Sequence, residues 1–203
     1  NNIRSRINFV EYYISMDDDG ENDYKNLIKN GKILLKEGNR DYLDIEINNK
    51  EAKIILFTSG TTAKSKAVLL SHWNLAYDMM CGCKSISVEP DDRFFSVLPL
   101  HHTYECTSGF LIPIYRGASI AYCEGLRYIV KNMQEAKPTM LLAVPALFDN
   151  MHNKIWESIR SSGKENLIKI LIGVSELLLK CGIDIRRKIF KKIHDNFGGN
   201  LRI

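Results

Sequence analysis

A run of small residues followed by a lysine carries the clearest chemistry in this sequence. Five small residues, four of them with hydroxyls, follow an apolar run in the order Thr58, Ser59, Gly60, Thr61 and Thr62. Small residues let successive backbone N–H groups converge on an oxyanion, and hydroxyls add further donors. Lys66 comes shortly after and can supply the positive charge that a polyphosphate needs. The pattern predicts a phosphate-binding loop.

Two other interpretations of this loop are open. A Walker A loop needs a second glycine before its lysine and a hydroxyl after it, but Lys66 lies between Ser65 and Ala67. A Walker lysine also opens a helix, whereas the apolar residues 67–70 favour a strand. This context argues against a Walker site and predicts that the loop joins two strands. The second alternative is a polar turn that binds no ligand.

Strands and helices alternate along the rest of the chain. Period-two or apolar patterns predict strands at residues 7–15, 41–47, 54–57, 68–70, 94–98, 118–122 and 139–144, and the start of another at 200–203. Helical spacing of apolar residues predicts helices at 23–37, after an N-cap at Ser71, from Leu126, from Pro145, at 166–180 and at 185–197. Between them, residues 101–115 are interpreted as a functional loop that runs into a helix. Such alternation indicates an α/β fold, with a mostly parallel sheet and helices on both faces.

Composition narrows the class of protein. The net charge of +4 in 203 residues is too small to argue for nucleic acid, so no nucleic-acid partner is expected. Five cysteines, an odd number, suit reduced thiols better than a disulfide framework. No apolar run approaches the roughly 20 residues that span a bilayer. We therefore expect a cytoplasmic protein.

The loop resembles the phosphate-binding signature of the adenylate-forming superfamily, which includes acyl-CoA synthetases, luciferases and peptide-synthetase adenylation domains. Residues 57–62, Lys66, Val68 and the pair Ser71-His72 fit the family pattern. Three residues depart from it, because Ala63, Ser65 and Ala67 replace a glycine, a proline and a glycine. Alanine resists positive φ, so the loop is expected to be stiffer or differently shaped than usual.

Two later segments resemble the long-chain acyl-CoA synthetase branch of that superfamily. Residues 98–105, Leu-Pro-Leu-His-His-Thr-Tyr-Glu, resemble one of its blocks, and residues 137–148 resemble another. The resemblance implies that the loop holds the β- and γ-phosphates of ATP and that Lys66 neutralises charge as pyrophosphate departs. It places His102 and Glu105 near the substrate pocket, where Glu105 would orient His102 or cap the following helix. His101 is expected to face elsewhere, and Lys64 to be solvated.

By this resemblance, residues 1–203 are part of the large N-terminal domain of a fatty acid–CoA ligase, which uses ATP, Mg²⁺ and CoA. The glutamate that would hold Mg²⁺ belongs to a family block absent from this chain, and no metal site is expected from its own residues. The remainder of its own polypeptide would complete the site, so we expect this chain alone not to form acyl-adenylate. The alternatives are a non-catalytic module that binds phosphate or a partner, and an adenylating enzyme with a carrier-protein acceptor.

A basic cluster near the C-terminus, residues 186–188 with Lys191 and Lys192, has two interpretations. It could make peripheral contact with anionic lipid headgroups. Alternatively, it is the solvent face of a helix whose other face carries Ile185, Ile189 and Ile193. The second interpretation needs no partner, and we adopt it.

Overall fold

The computed structural model describes residues 9–17, 23–58 and 65–203. The chain divides into two compact units, Asn1–Asn48 and Asn49–Ile203. Each unit is described by itself.

The first unit contains one helix, α1 (Tyr24–Lys36), among its described residues. Asp23 caps it, and the carboxylate accepts a hydrogen bond of 2.7 Å from the amide of Asn26. This satisfies one of the amides that a helix leaves unpaired at its start. The helix predicted at residues 23–37 is confirmed.

The two strands predicted in this unit are wrong where the structure describes them. Residues 9–14 and 41–47 form no strand, and Ser15 makes only an isolated bridge with Asp23. Both segments have the composition of strands, but a strand needs a neighbour for its backbone groups. Neither segment has a ladder partner in the part of this unit that the structure describes.

The second unit begins with an antiparallel hairpin. Strand β1 (Ala52–Thr58) pairs with β2 (Lys66–Ser71), and the prediction of a loop between two strands is confirmed. Helix α2 (His72–Ser85) follows directly. Ser71 caps it as predicted: its hydroxyl accepts from the amide of Asn74, whose side chain accepts from the amide of Ser71.

A three-stranded parallel sheet forms the centre of this unit. Its order is β4 (Ser119–Tyr122), β3 (Arg93–Ser96) and β5 (Met140–Leu141), with β3 in the middle. Residues 142–144, also predicted as strand, instead lead to the next helix, which Val144 precedes. At the outer side of β5, the amide of Arg202 donates to the carbonyl of Thr139, and that of Leu141 donates to the carbonyl of Ile203. The C-terminal residues thus pair with β5, although they are too few to form a regular strand.

Helices cover both faces of the sheet, as predicted. Phe94 packs with Val88, Ile112 and Met140 on one face, next to α2. Its neighbour Phe95 points to the other face, where it packs with Ile129, Met133 and Leu141. Successive side chains of a strand alternate between faces, so two adjacent phenylalanines supply both halves of the core.

The remaining helices follow the order of the predicted ones, with two differences. They are a π-helical segment (Glu105–Leu111), α3 (Ile112–Arg116), a 3-10 turn (Leu126–Tyr128), α4 (Ile129–Ala136), α5 (Pro145–Ser161), α6 (Glu165–Lys180), α7 (Arg186–Ile189) and α8 (Lys191–Asn196). Helix already begins at Thr103, earlier than predicted within residues 101–115. The last predicted helix is split at Phe190, whose backbone (φ −99°, ψ 25°) leaves the helical region.

The basic cluster lies on the exposed side of α7 and α8, and the isoleucine stripe is half-buried, as predicted. Arg186 pairs with Asp184, and Lys191 pairs with Asp195. Among the described residues, no helix is both long and apolar enough to cross a membrane.

A polar network ties the sheet together at the start of β3. The buried carboxylate of Asp92 accepts hydrogen bonds from the guanidinium of Arg202, the hydroxyl of Thr139 and the amide of Glu89. The bond from Arg202 holds the pKa of Asp92 well below its ordinary value, outweighing the opposite effect of burial. This network fixes the C-terminal residues beside the central strands.

Candidate functional site

The hairpin brings both described ends of the predicted phosphate loop together. Thr58 closes β1 and Lys66 opens β2, and the two residues are direct partners in the antiparallel ladder. Directly opposite residues of such a ladder project to the same face. A hydroxyl and an ammonium group therefore stand side by side, exposed, where the chain enters and leaves the loop.

The loop residues between these ends, Ser59, Gly60, Thr61 and Thr62, lie outside the described residues, as do Ala63 and Lys64. The predicted donor geometry and the predicted effect of Ala63 therefore stay predictions. Ser65 is described and exposed, and Ala67 lies in β2.

Helix α2 connects this hairpin with the second predicted block. The Ser71 cap fixes its start to β2, and the amide of Trp73 donates a hydrogen bond of 2.9 Å to the carbonyl of Asn49, which precedes β1. Further along, α2 packs against the π-helical segment and α3. Helix α2 thus contacts both the hairpin and the π-helical segment that follows His102.

His101 and His102 lie in a turn after β3, with their rings stacked 4.9 Å apart between centroids. The prediction that His101 faces elsewhere is wrong, because the chain turns here instead of running extended. The amide of His102 donates to the carbonyl of Pro99, and its own carbonyl accepts from the amide of Cys106. Both imidazoles are exposed beyond the carboxyl end of a parallel strand, where ligands of α/β proteins commonly bind.

Glu105 does neither of the things expected of it. Its side chain is fully buried, and its Oε1 accepts a hydrogen bond of 2.5 Å from the hydroxyl of Ser96, the last residue of β3. It therefore neither orients His102 nor caps a helix. Burial raises the pKa of Glu105 above its ordinary value, and the bond from Ser96 only partly opposes this.

An apolar cavity of about 210 Å³ lies beside the buried carboxyl group. Its walls come from α2, β3, the π-helical segment, α3 and the strand β5 with the residues after it. The lining includes Gly82, Ser85, Phe94, Tyr104, Ser108, Ile112, Met140 and Ile203. Tyr104, from the predicted block at residues 98–105, and Ser108, from the π-helical segment, therefore contribute to one wall of this cavity.

The sequence analysis missed three residues of this region: Ser96, Gly109 and Tyr104. Gly109 packs against the carboxyl group of Glu105, and an ideal Cβ at this glycine would lie 2.5 Å from Glu105 Cδ. For Gly109, the sequence offered one signal: a glycine four positions after Glu105, which is about one helical turn away. Ser96 had none, because it meets Glu105 only through the fold.

Among the described residues, no group of three or more His, Cys, Asp or Glu side chains is arranged to hold a metal ion. All five cysteines are free thiols.

The family model described as "AMP-binding enzyme" matches residues 4–201. Long chain acyl-CoA synthetase 2 of Arabidopsis thaliana is 30% identical over 169 residues, which cover 80% of this chain and 25% of the relative. The chloroplastic long-chain-fatty-acid acyl-carrier-protein ligase AEE15 of Arabidopsis thaliana is 30% identical over 146 residues, or 71% of this chain and 20% of the relative. The chain spans a quarter or less of the length of these curated relatives.

A solved structure of VinN in complex with L-aspartate superposes with a TM-score of 0.57. The match covers 76% of this chain and 42% of that one, at 19% sequence identity. At this identity the likeness concerns the fold alone, and it agrees with the α/β architecture described above.

Proposed function

The chain belongs to the AMP-binding enzyme family, and from this membership we propose that it is part of an ATP-dependent long-chain fatty acid–CoA ligase. In this proposal the chain supplies the phosphate-binding hairpin and one wall of the acyl pocket. The relatives are named as long-chain acyl-CoA synthetases and ligases, which favours an enzyme over a non-catalytic module. The whole protein carries the activity.

The observation that carries this proposal is the pairing of Thr58 with Lys66 at the open end of the hairpin. This pairing places a hydroxyl and an ammonium group at the two ends of the predicted loop. In the proposal, Thr58, Ser59, Gly60, Thr61 and Thr62 donate to the β- and γ-phosphates of ATP. Lys66 adds a point charge on the same face, where negative charge grows on the leaving group.

The proposed first step joins the fatty acid to AMP. A carboxylate oxygen attacks the α-phosphorus of ATP, and the bond from that phosphorus to the bridging oxygen breaks, so that pyrophosphate leaves with the electron pair. The protein contributes mainly position and charge stabilisation in such transfers. In the second step, the thiol sulfur of CoA attacks the acyl carbonyl and AMP leaves. Mg²⁺ would assist the first step, and we assign it no ligand among the described residues.

We assign the apolar cavity to the acyl chain of the fatty acid. Its lining by Phe94, Ile112 and Met140 suits a hydrocarbon, since burying apolar surface is the main favourable term for such a ligand. His102 lies in the turn between β3 and Tyr104, a lining residue of this cavity, and in the proposal it faces the substrates at the carboxyl ends of the strands. Glu105 is fully buried and does not line the cavity itself.

The location of the intact protein also belongs to the proposal. Five free cysteines suit a reducing compartment, and we propose the cytoplasm. The paired cations of α7 and α8 give no separate support for lipid contact.

The proposal is tested on the intact protein, meaning the natural polypeptide that contains this chain. Palmitate-dependent release of pyrophosphate from ATP is measured for the wild type, for Lys66→Ala and for Lys53→Ala. Lys53 is the matched control, because it lies in β1 of the same hairpin and pairs with Glu51. We expect Lys66→Ala to lower kcat by roughly a hundredfold or more, as expected for removing a group that stabilises transition-state charge, while Lys53→Ala stays near the wild type.

The absence of palmitate-dependent pyrophosphate release by the wild-type intact protein would overturn the proposal. Equal activity of Lys66→Ala and Lys53→Ala would overturn the role given to Lys66. Free CoA and phosphopantetheinylated acyl-carrier protein are compared as acceptors, because one relative is named for the carrier protein. We expect the thioester to form on CoA.

A further inference from the structure

The carboxyl group of Glu105 has unusual surroundings for an acidic side chain. It is fully buried, and its Oε1 accepts from the hydroxyl of Ser96. Its Oε2 is the one buried side-chain nitrogen or oxygen, among the residues that the structure describes, that has no hydrogen-bond partner. No ion pair of the described residues includes Glu105.

These surroundings suit an uncharged carboxylic acid. Burying an ionised carboxylate without a cation or a full set of donors is costly, and such a group takes up a proton instead. Burial raises the pKa of Glu105 accordingly. The group is thus unsuited to act as an anion toward ATP or a metal ion.

Gly109 completes the packing of this carboxyl group. An ideal Cβ at this glycine would lie 2.5 Å from both Cδ and Oε1 of Glu105. Real Cβ atoms do not approach other atoms so closely, so only glycine leaves room for the carboxyl group in its present place. Both residues belong to the π-helical segment, where the amide of Ile112 donates to the carbonyl of Thr107, five residues earlier.

The same carboxyl group joins two walls of the apolar cavity. Ser96 ends strand β3, which lines the cavity through Phe94. Ser108, in the π-helical segment, and Tyr104, directly before it, form another wall. The hydrogen bond between Ser96 and Glu105 therefore sets the distance from the central strand to this wall. A π-helical stretch is uncommon and needs such support to persist.

We propose that Glu105 is a positioning residue: its neutral carboxyl group, bonded to Ser96 and packed on Gly109, holds the π-helical segment in the register that shapes the acyl cavity. The length of acyl chain that the cavity accepts depends on this register. The inference rests on the proposed function for its substrate, but not for the protonation state of Glu105.

The first experiment measures chain-length preference in the intact protein. The ratio of kcat/KM for palmitate to kcat/KM for octanoate is compared for the wild type, Glu105→Gln and Glu105→Ala. Glutamine keeps the shape and an acceptor for Ser96, so we expect it to retain the wild-type ratio. Alanine leaves the wall unsupported, and we expect a change of about tenfold in the ratio, the scale at which one methylene is discriminated in an apolar pocket.

A merely structural role would lower the melting temperature of Glu105→Ala but leave this ratio unchanged, and that result would overturn the inference. So would a loss of activity in Glu105→Gln comparable to that in Lys66→Ala, since it would require a charged Glu105. If Glu105→Ala does not fold, Ser96→Ala removes the same hydrogen bond more mildly. It is expected to shift the ratio in the same direction, and an unshifted ratio counts against us.

The second experiment needs no activity. The infrared spectrum of the wild-type intact protein at neutral pH is compared with that of Glu105→Gln. We expect the wild type to show a band of a protonated carboxyl group that the variant lacks, and an ionised carboxylate band in its place would overturn the inference. A wild-type protein without palmitate-dependent activity would instead overturn the proposed function, so the two failures are distinguishable.

Discussion

Arg202 and Asp92 lie 110 positions apart in the sequence and form a two-point contact, in which Nε and one terminal nitrogen of the guanidinium both donate to the carboxylate. The same terminal nitrogen also donates to the carbonyl of Ser87. Asp92 precedes the central strand β3, and Arg202 belongs to the C-terminal residues beside β5. The pair therefore joins the end of the chain to the middle of the sheet.

Breaking this pair should destabilise the fold. Arg202→Leu leaves the buried carboxylate of Asp92 without the cation that pairs with it from the surface, and a buried group left without its partner costs about 1–3 kcal/mol. The matched control is Arg186→Leu, which breaks an exposed pair with Asp184 and should cost far less, because solvent screens the attraction between exposed charges. Urea unfolding of the intact protein gives both values. Equal losses of unfolding free energy in the two variants would show that the contact of Arg202 with Asp92 stabilises the fold no more than the exposed pair does.

Asp92 should also make the free energy of unfolding depend on pH. The pKa of Asp92 is held well below its ordinary value of 3.8, first by the hydrogen bond from Arg202. A group with a lowered folded-state pKa contributes stability above its ordinary pKa, and this contribution is lost as the pH falls below it. We expect the free energy of unfolding to drop as the pH falls below about 4, and to drop less in Asp92→Asn. If the free energies of unfolding of the wild type and Asp92→Asn fall equally with decreasing pH, this prediction is wrong.

The stability of the fold should require glycine at position 109 but not at position 173. Gly109→Ala places a Cβ against the carboxyl group of Glu105 and forces a shift, which we expect to cost about 1–3 kcal/mol. Gly173 lies inside α6 with no atom within 4 Å of its ideal Cβ, so Gly173→Ala should stabilise by roughly 0.5–1 kcal/mol through helix propensity. Thermal unfolding of both variants tests the contrast, and a stabilising Gly109→Ala would refute it.

The cap at Ser71 should hold the hairpin and α2 together. Ser71→Ala removes the acceptor for the amide of Asn74, and loss of such a cap costs about 1 kcal/mol. Ser71→Asp keeps an acceptor and should recover most of this loss. Chemical unfolding gives the free energies of the three proteins. If the aspartate variant is as unstable as the alanine variant, the cap is not what stabilises this junction.

Gly82 should limit the length of the acyl chain. It lines the apolar cavity from α2, and its ideal Cβ would lie 2.6 Å from Cδ1 of Ile112. A valine there fills part of the chamber, so Gly82→Val should lower kcat/KM for palmitate about tenfold more than for octanoate. Gly173→Val, which introduces the same side chain far from the cavity lining, serves as the control. If kcat/KM falls equally for palmitate and octanoate, the cavity does not hold the acyl chain.

Local patterns predicted much of this protein from its sequence. Four predictions depend on neighbouring residues and are confirmed: the strands on either side of the loop, the Ser71 cap, α1 and the helix that begins at Pro145. The resemblance of the loop and of two later blocks identified the family without coordinates. The strands predicted at residues 7–15 and 41–47 failed where described, because composition cannot supply the partner that a strand requires.

The tertiary structure alone decided the rest. Glu105 became a buried, hydrogen-bonded group because the fold places Ser96 and Gly109 against it. Asp92 pairs with Arg202, which is 110 positions away in sequence, because the fold brings the C-terminal residues beside the sheet. Sequence patterns report periodicity and local chemistry, whereas burial and long-range pairing depend on which elements meet. The sequence therefore determined the family and the two strands that flank the predicted phosphate loop, and the packing determined what the acidic residues of the fold can do.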